Sequence, residues 1–318
     1  MIDVEMVRAL VLVVLAIGGT LLVGIYTTAV LDRVVGRAVA RESLRIVDAV
    51  RAPAREAALL LLQRRGMTER PDAALWAFAP ALLGALAAAM LVAVPVVPAV
   101  TRLEIPSGIV YLGAAMALVM VPVYLHGWSA NSAFPLIGGY RFVALALSYE
   151  MPLVLVLIAA AIPAESLNIG DIVRSQAGLW NVVRQPLGLP LYLVAALGLA
   201  FWGPFSHPDA ADVMDGTAAE SAGAPLLLWR AARAAMLVAV AAVGAAVFLG
   251  GWLGPWLPGP VWMLLKMLVL LGVMIAGGHL IARVRLERFV VIAWVVLIPL
   301  ALVDVFLSGL LALWGIGR

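Results

Sequence analysis

Long apolar stretches alternate with short polar ones along the whole chain, and this pattern predicts the secondary structure. A hydrocarbon core about 30 Å thick needs roughly 20 apolar residues in a helix to cross it. Continuous, largely apolar runs such as Leu10 to Ile25 exclude the alternating pattern of a membrane β-barrel. We predict eight membrane-spanning helices, near 6–31, 75–99, 107–127, 140–163, 186–203, 226–250, 260–282 and 289–314.

The composition supports a membrane protein. The 318 residues are 65% hydrophobic and 12% charged, whereas soluble domains are about 45–50% apolar and about 25% charged. We therefore predict an all-α integral membrane protein in which residues 1–318 form a single membrane domain. The first apolar run is too long for the core of a signal peptide and lacks a small-residue cleavage site, so we expect a retained helix.

The distribution of arginine predicts the orientation of the chain. Nine arginines lie between the first two predicted spans. If that connection is cytoplasmic, fifteen arginines lie on the cytoplasmic side and five on the other. Positively charged loops remain in the cytoplasm, so we expect a multi-pass protein of the cell inner membrane whose segment 33–74 is cytoplasmic.

The basic segment 33–74 has the pattern of an interfacial helix. Arg33, Arg37, Arg41 and Arg45 recur every four residues and would share one helical face over 33–65. Pro53 is expected to end or bend this helix near Ala52. The segment either binds lipid headgroups or forms a surface on which a partner protein docks.

The second long connection, 204–225, is acidic. Proline and glycine interrupt any helical period there, and the loop contains Asp209, Asp212, Asp215 and Glu220 on a side otherwise rich in arginine. It is either a solvated loop or a functional cluster of carboxylates.

Ionisable side chains inside predicted spans invite functional hypotheses, because a charge at bilayer depth costs roughly 2.5–3.5 kcal/mol on insertion scales. Glu150 lies in the middle of the fourth span, Lys266 and His279 in the seventh and Asp304 in the eighth. Glu150 and Lys266 are candidates for proton exchange. For Lys266 a side chain that reaches the interface is an alternative, and for Asp304 a structural pair. We expect His126 and His279 to be held by local hydrogen bonds.

Several cofactor and ligand classes are not predicted. The chain has no cysteine and only three widely spaced histidines, so we predict no metal site and no iron–sulfur cluster. No nucleotide-binding glycine motif indicates a flavin site. The net charge of +3 is explained by the membrane orientation, and we predict no nucleic-acid partner.

Several strings resemble one membrane-protein family. They are Gly127-Trp128-Ser129-Ala130-Asn131-Ser132, Leu136 to Arg141, Ser148-Tyr149-Glu150, Ser166 to Val173, Gln185-Pro186-Leu187-Gly188, Gly203-Pro204-Phe205, Phe248 to Trp252 and Pro299 to Leu302. In order and spacing they resemble the H subunit of NADH-quinone oxidoreductase, the complex I subunit 1 family. The resemblance covers roughly 120–310.

The resemblance implies a function that belongs to a complex. A member of this family joins the quinone-reducing redox arm to the proton-pumping membrane arm, without activity of its own. Its partners are other membrane and peripheral subunits, membrane lipid and quinone as substrate. The implied proton or charge relay is Glu150, Asp209, Asp212 and Glu220. The implied vicinity of the quinone chamber is Arg33, Phe205, Arg283 and Arg285.

The chain also departs from the family pattern. Leu199, Trp202 and Ser206 stand where the family has Glu, Arg and Asp, and a proline-rich loop of the family has no counterpart among residues 38–52. Alternative functions are therefore a membrane subunit of an energy-converting hydrogenase or formate-linked complex, or a scaffold without catalytic function. An independent transporter is a fourth hypothesis, although the halves show no convincing repeat.

Overall fold

The computed structural model describes residues 4–43, 45–64, 66, 68–95 and 105–315, with the side chains of 4–13 and 213 left aside. This part of the chain folds into α-helices without strands. The helices are α1 (Val4–Val39), α2 (Ile46–Leu62), α3 (Ala73–Ala93), α4 (Gly108–Ala117), α5 (Met120–Ser129), α6 (Ala133–Ala161), α7 (Ile169–Ser175), α8 (Asn181–Arg184), α9 (Gly188–Leu199), α10 (Ala224–Phe248), α11 (Gly259–Leu280), α12 (Leu286–Ile292) and α13 (Ile298–Leu313). The prediction of an all-α membrane protein is confirmed.

Seven helical segments of the described chain are long and apolar enough to cross a membrane. Three of them are composite. Helices α4 and α5 follow one another as a single span, α6 continues into a 3-10 turn at 162–164, and α12 continues through a π-helical turn, Ala293–Leu297, into α13. The segments are Val14–Val39, Ala73–Ala93, Gly108–Ser129, Ala133–Ala164, Ala224–Phe248, Gly259–Leu280 and Leu286–Leu313. They match seven of the eight predicted spans.

The remaining predicted span, 186–203, has a different structure. Its helix α9 has only 12 residues, about 18 Å at 1.5 Å per residue, which is too short to cross the hydrocarbon core alone. Many of its side chains are buried by protein, Tyr192 and Ala195 completely. The apolar composition of 186–203 therefore reflects burial inside the bundle.

The prediction of one continuous interfacial helix over 33–65 is wrong. Helix α1 carries Arg33 and Arg37 and ends at Val39, Arg41 adopts a positive φ of 55° in the turn, and α2 begins at Ile46. The four arginines thus do not share one helical face. Of the two expected effects of Pro53, the end of the helix is wrong, because α2 continues to Leu62.

Helix α10 lies at the centre of the bundle. Seventeen of its 25 residues are buried, and it packs mainly against α3, α11 and α1. The small residues of α10 let neighbouring helices approach its backbone closely. At Gly244, for example, a Cβ would come within 2.7 Å of the Tyr192 ring. Since α10 begins directly after the acidic loop, its position fixes where that loop emerges.

Candidate functional site

One end of the bundle gathers the acidic loop and most of the arginines. We call it the basic end and define it by the turns after α1, α5 and α11 and by the acidic loop, residues 204–223. Side-chain bonds join these turns: His279 Nε2 lies 2.9 Å from Asp32 Oδ1, and Ser132 Oγ donates to Glu220 Oε1 over 2.9 Å. The loop is therefore packed against the bundle, not free in solvent.

Asp209 is the most enclosed carboxylate of this loop, with a side chain only 7% exposed. The Trp229 Nε1–H donates to its Oδ2 over 3.1 Å, and the Thr217 hydroxyl donates to Oδ1. Arg233 Nη1 lies 3.5 Å from Oδ2. Both indole and guanidinium come from α10, so the first turns of that helix bind the loop through one carboxyl group.

Arg233 is held from three directions. Its Nη2 donates to the Phe201 carbonyl oxygen over 2.6 Å, and its guanidinium lies 5.1 Å and 4.8 Å from the ring centroids of Phe201 and Trp202. Aromatic faces and a carboxylate together stabilise a cation that has left water. Trp202, identified as a departure from the family pattern, thus serves as part of this cation's environment.

Asp212 forms a second, exposed ion-pair centre. Its two carboxylate oxygens accept from Arg141 Nη1 and Arg283 Nη1, each over 2.8 Å. Arg141 belongs to α6, whereas Arg283 follows α11. The Asp212 side chain is 57% exposed, so it joins two elements at the surface while Asp209 anchors the loop inside.

Burial and neighbouring charges shift the pKa values of the loop side chains in different directions. Burial raises the pKa of Asp209, although Arg233, Thr217 and Trp229 oppose the shift. The hydrogen bond from Arg141 lowers the pKa of Asp212. Burial, with help from Arg283 and Arg141, lowers the pKa of His207 to about 4. At neutral pH the loop therefore holds a neutral imidazole together with two carboxyl groups whose pKa values are shifted in opposite directions.

Two glycines allow the loop to approach the helices. A Cβ at Gly138 would lie 2.5 Å from the Pro208 carbonyl oxygen, and one at Gly203 would lie 2.3 Å from Gly278 Cα. Gly203 also has a φ of +57°, a conformation that side chains disfavour. Backbone contact at these points seats the loop on α6 and α11.

The residues predicted near a quinone chamber all lie at the basic end. Phe205 is buried against Phe289, with ring centroids 4.5 Å apart. Arg283 binds Asp212, Arg33 binds Glu56, and Arg285 is exposed just before α12. The 283–285 segment reaches Phe205 because the Val284 N–H donates to the Pro204 carbonyl oxygen over 3.2 Å.

The predicted relay residues divide into two places. Asp209, Asp212 and Glu220 lie in one loop, as the sequence requires. Glu150 lies on α6 twelve residues beyond Gly138, about 18 Å further along the helix axis, and is partly exposed instead of fully buried. No hydrogen bond joins it to the side chains that the structure describes. The structure does not bring Glu150 together with the loop.

Several residues of this site were not identified from the sequence. Arg233 was counted only as one of the cytoplasmic arginines and Trp229 was given no role, although their spacing of four residues at the start of α10 puts both on one face. His126 was expected to be held by local hydrogen bonds, and for its ring this is wrong. Both its ring nitrogens are buried without a partner in the described chain, and the ring stacks on Trp229 at 3.9 Å.

The other intramembrane charges lie at the opposite end of the bundle, defined by the segments between α6 and α9 and between α10 and α11. Lys266 is 5% exposed, so it is not a snorkelling side chain. Its Nζ donates to the carbonyl oxygens of Gly251 and Leu253 over 3.0 Å and 2.6 Å and lies 4.2 Å from the Trp180 ring centroid. Asp304 is 1% exposed.

Comparisons with known proteins agree with this architecture. The family model described as NADH dehydrogenase matches residues 9–309. The H subunit of the NADH-quinone oxidoreductase of Geobacillus kaustophilus is 33% identical over 261 residues, which cover 80% of this chain and 78% of the relative. A corresponding H subunit of Rhodopseudomonas palustris is 35% identical over 204 residues, 64% of each chain. The resemblance found in the motifs is thus confirmed, and the chain belongs to the NADH dehydrogenase family of membrane proteins.

Proposed function

We propose that this protein is the membrane subunit of a proton-translocating NADH:quinone oxidoreductase complex that links quinone reduction to the proton-pumping membrane arm. The observation that carries the proposal is the Asp209–Arg233 pair, a buried carboxylate beside a partly buried guanidinium where the acidic loop meets α10. Membership of the NADH dehydrogenase family supports quinone reduction as the reaction of the complex. The Asp209–Arg233 pair provides a local charge that changes when Asp209 takes up a proton.

The physical basis is the strength of electrostatic interactions away from water. If Asp209 takes up a proton, Arg233 loses its counter-ion and its positive charge acts on neighbouring helices. Asp209 is suited to this because its pKa is raised, which brings protonation closer to the neutral range. Glu150, further along α6, would sense the change through the field and not through a direct proton transfer.

Quinone and the redox arm are assigned to the basic end. Arg33, Arg283 and Arg285 make this surface positive, which suits a partner protein that carries carboxylates. Phe205 and Phe289 provide an apolar contact beside the arginines. We place the quinone headgroup near 203–205 and 283–285, with the electron carriers on neighbouring subunits and α2 in contact with membrane lipid. In this proposal the chain has no activity outside the complex, and the basic end faces the cytoplasm of a bacterial cell.

The test uses the assembled complex in native membrane vesicles, with a charge-balanced double variant, Asp209→Asn with Arg233→Met. This variant removes both charges without leaving either one alone. We expect NADH-driven quinone reduction to continue while the number of protons translocated per electron falls. Glu150→Gln is expected to lower the same ratio.

The matched control is Asp171→Asn, a carboxylate at the opposite end that pairs with Arg174 over 2.6 Å. It should leave proton translocation per electron unchanged. An unaltered ratio in the double variant would contradict a coupling role for the pair. Copurification of hydrogenase subunits in place of NADH-oxidising ones would overturn the assignment of the complex itself.

A further inference from the structure

A buried polar cluster at the opposite end has no part in the proposed function. Asp304 and Ser308 lie one turn apart on α13, and Gln185 lies just before α9. All three are 1% exposed. Gln185 Nε2 donates to Ser308 Oγ over 2.8 Å. A Cβ at Gly188 would lie 3.2 Å from both Asp304 Oδ2 and Gln185 Cβ, so both side chains lie beside the start of α9.

Two acceptors of the cluster have no donor. Asp304 Oδ2 and Gln185 Oε1 are both buried, and neither has a partner in the described part of the chain. An amide oxygen and an ionised carboxylate oxygen are both acceptors, so they cannot satisfy each other. The enclosed Asp304 oxygen therefore needs a hydrogen atom.

No described cation provides that hydrogen. The titratable groups on the elements packed against α13 are carried by α6, by α9 and by the residue after the 3-10 turn at 162–164, and none of them bonds to Asp304. They are Tyr140, Arg141, Tyr149, Glu150, Tyr192 and Glu165. Arg184, next to Gln185, donates to the Asn181 side chain and to the Ser175 carbonyl oxygen.

We propose that Asp304 is a proton-binding site whose carboxyl group carries a proton on Oδ2. A bare carboxylate in a low-dielectric interior is unfavourable without a cation, and taking up a proton is the usual resolution. The proton turns an acceptor that has no donor into a donor. The hydrogen bond from Gln185 to Ser308 fastens α13 to the segment before α9.

Infrared difference spectroscopy on the purified complex tests the protonation state. At neutral pH the wild-type minus Asp304→Asn spectrum should contain the C=O stretching band of a protonated carboxyl group. The matched control, Asp171→Asn, should remove the bands of an ionised carboxylate, because Asp171 is exposed and paired with Arg174. Loss of carboxylate bands in Asp304→Asn would overturn the proposal.

Thermal stability provides a second readout. An asparagine side chain is neutral, as a protonated carboxyl group is, so Asp304→Asn should assemble and melt no lower than the wild type. In the wild type the native state binds a proton that the unfolded chain releases, so its stability should fall as pH rises. The advantage of the variant should therefore grow from pH 6 to pH 9.

Failure of Asp304→Asn to assemble would overturn the proposal, because it would mean that a charge is required. Gln185→Leu gives an independent test, since it removes the neighbouring amide and leaves the acid. In that variant the protonated carboxyl band should persist. Its replacement by carboxylate bands would contradict a proton held by burial.

Discussion

The two ends of the helix bundle hold their buried charges in different ways. At the basic end, the buried Asp209 faces Arg233, and at the surface Asp212 faces two arginines. At the opposite end, Lys266 is bound by carbonyl oxygens and indole rings, and Asp304 has only neutral neighbours among the described residues. One end pairs its buried carboxylate with a cation, whereas the other surrounds Lys266 and Asp304 with neutral groups.

This difference has a consequence for function. A paired charge responds when its partner changes protonation, because the remaining charge is then uncompensated. A charge bound by carbonyl groups and ring faces has no partner that titrates near neutral pH. The basic end is therefore suited to coupling, and the opposite end to fixing helices in place.

The largest expected effect is the loss of one member of the buried pair. Asp209→Asn or Arg233→Met alone leaves an uncompensated group in the interior and should cost about 3–5 kcal/mol of stability. The double variant should recover much of this loss. Melting of the purified complex measures all three, and equal destabilisation in single and double variants would show that the charges are not paired.

At the opposite end, Lys266→Met should be less costly but still clear. The substitution leaves the carbonyl oxygens of Gly251 and Leu253 without this donor, at about 1–3 kcal/mol for each group that finds no replacement. Hydrogen exchange should rise across 251–258 in Lys266→Met and much less in Lys266→Arg, which retains a donor and a charge. Unchanged exchange in the methionine variant would mean that Lys266 does not hold the loop.

Mild acid should weaken the basic end through His207. Its pKa is about 4 in the folded loop against an ordinary 6.5, so its stabilising contribution is present above pH 6.5 and is lost as the pH falls toward 4. Melting temperature should therefore drop over this window in the wild type. His207→Gln should show a smaller drop.

The neighbouring aspartates do not reproduce this behaviour. The pKa of Asp212 is lowered, so its contribution is lost only at still more acid pH. The pKa of Asp209 is raised, so its protonation as the pH falls favours the folded loop and acts against the effect of His207. An identical acid response in wild type and His207→Gln would assign the weakening to other groups.

The smallest expected effect is that of the exposed pair. Asp212→Asn removes bonds to Arg141 and Arg283 at the surface, where ion pairs contribute about 0–1 kcal/mol. The difference from wild type should shrink further in high salt because exposed charges are screened. A cost comparable to that of Asp209→Asn would erase the distinction between the inner and outer carboxylates.

Much of the fold could be predicted from the lengths of the apolar stretches alone, since seven of the eight predicted spans match helices of the structure. The failure at 186–203 has a physical cause: a segment enclosed by protein is as apolar as one facing lipid. The interruption of the basic segment at Arg41 was also not predictable, because helical spacing of arginines persists across a turn.

The sequence by itself determined the membrane class, the spans and the location of the acidic loop, because apolar length and the positions of carboxylates are local properties. Its motifs also identified the family. Only the tertiary structure decided which groups are partners: Arg233 for Asp209, two arginines for Asp212, and carbonyl oxygens for Lys266. The reason is that these contacts join different helices, and the order of residues along a chain does not specify which faces of those helices meet.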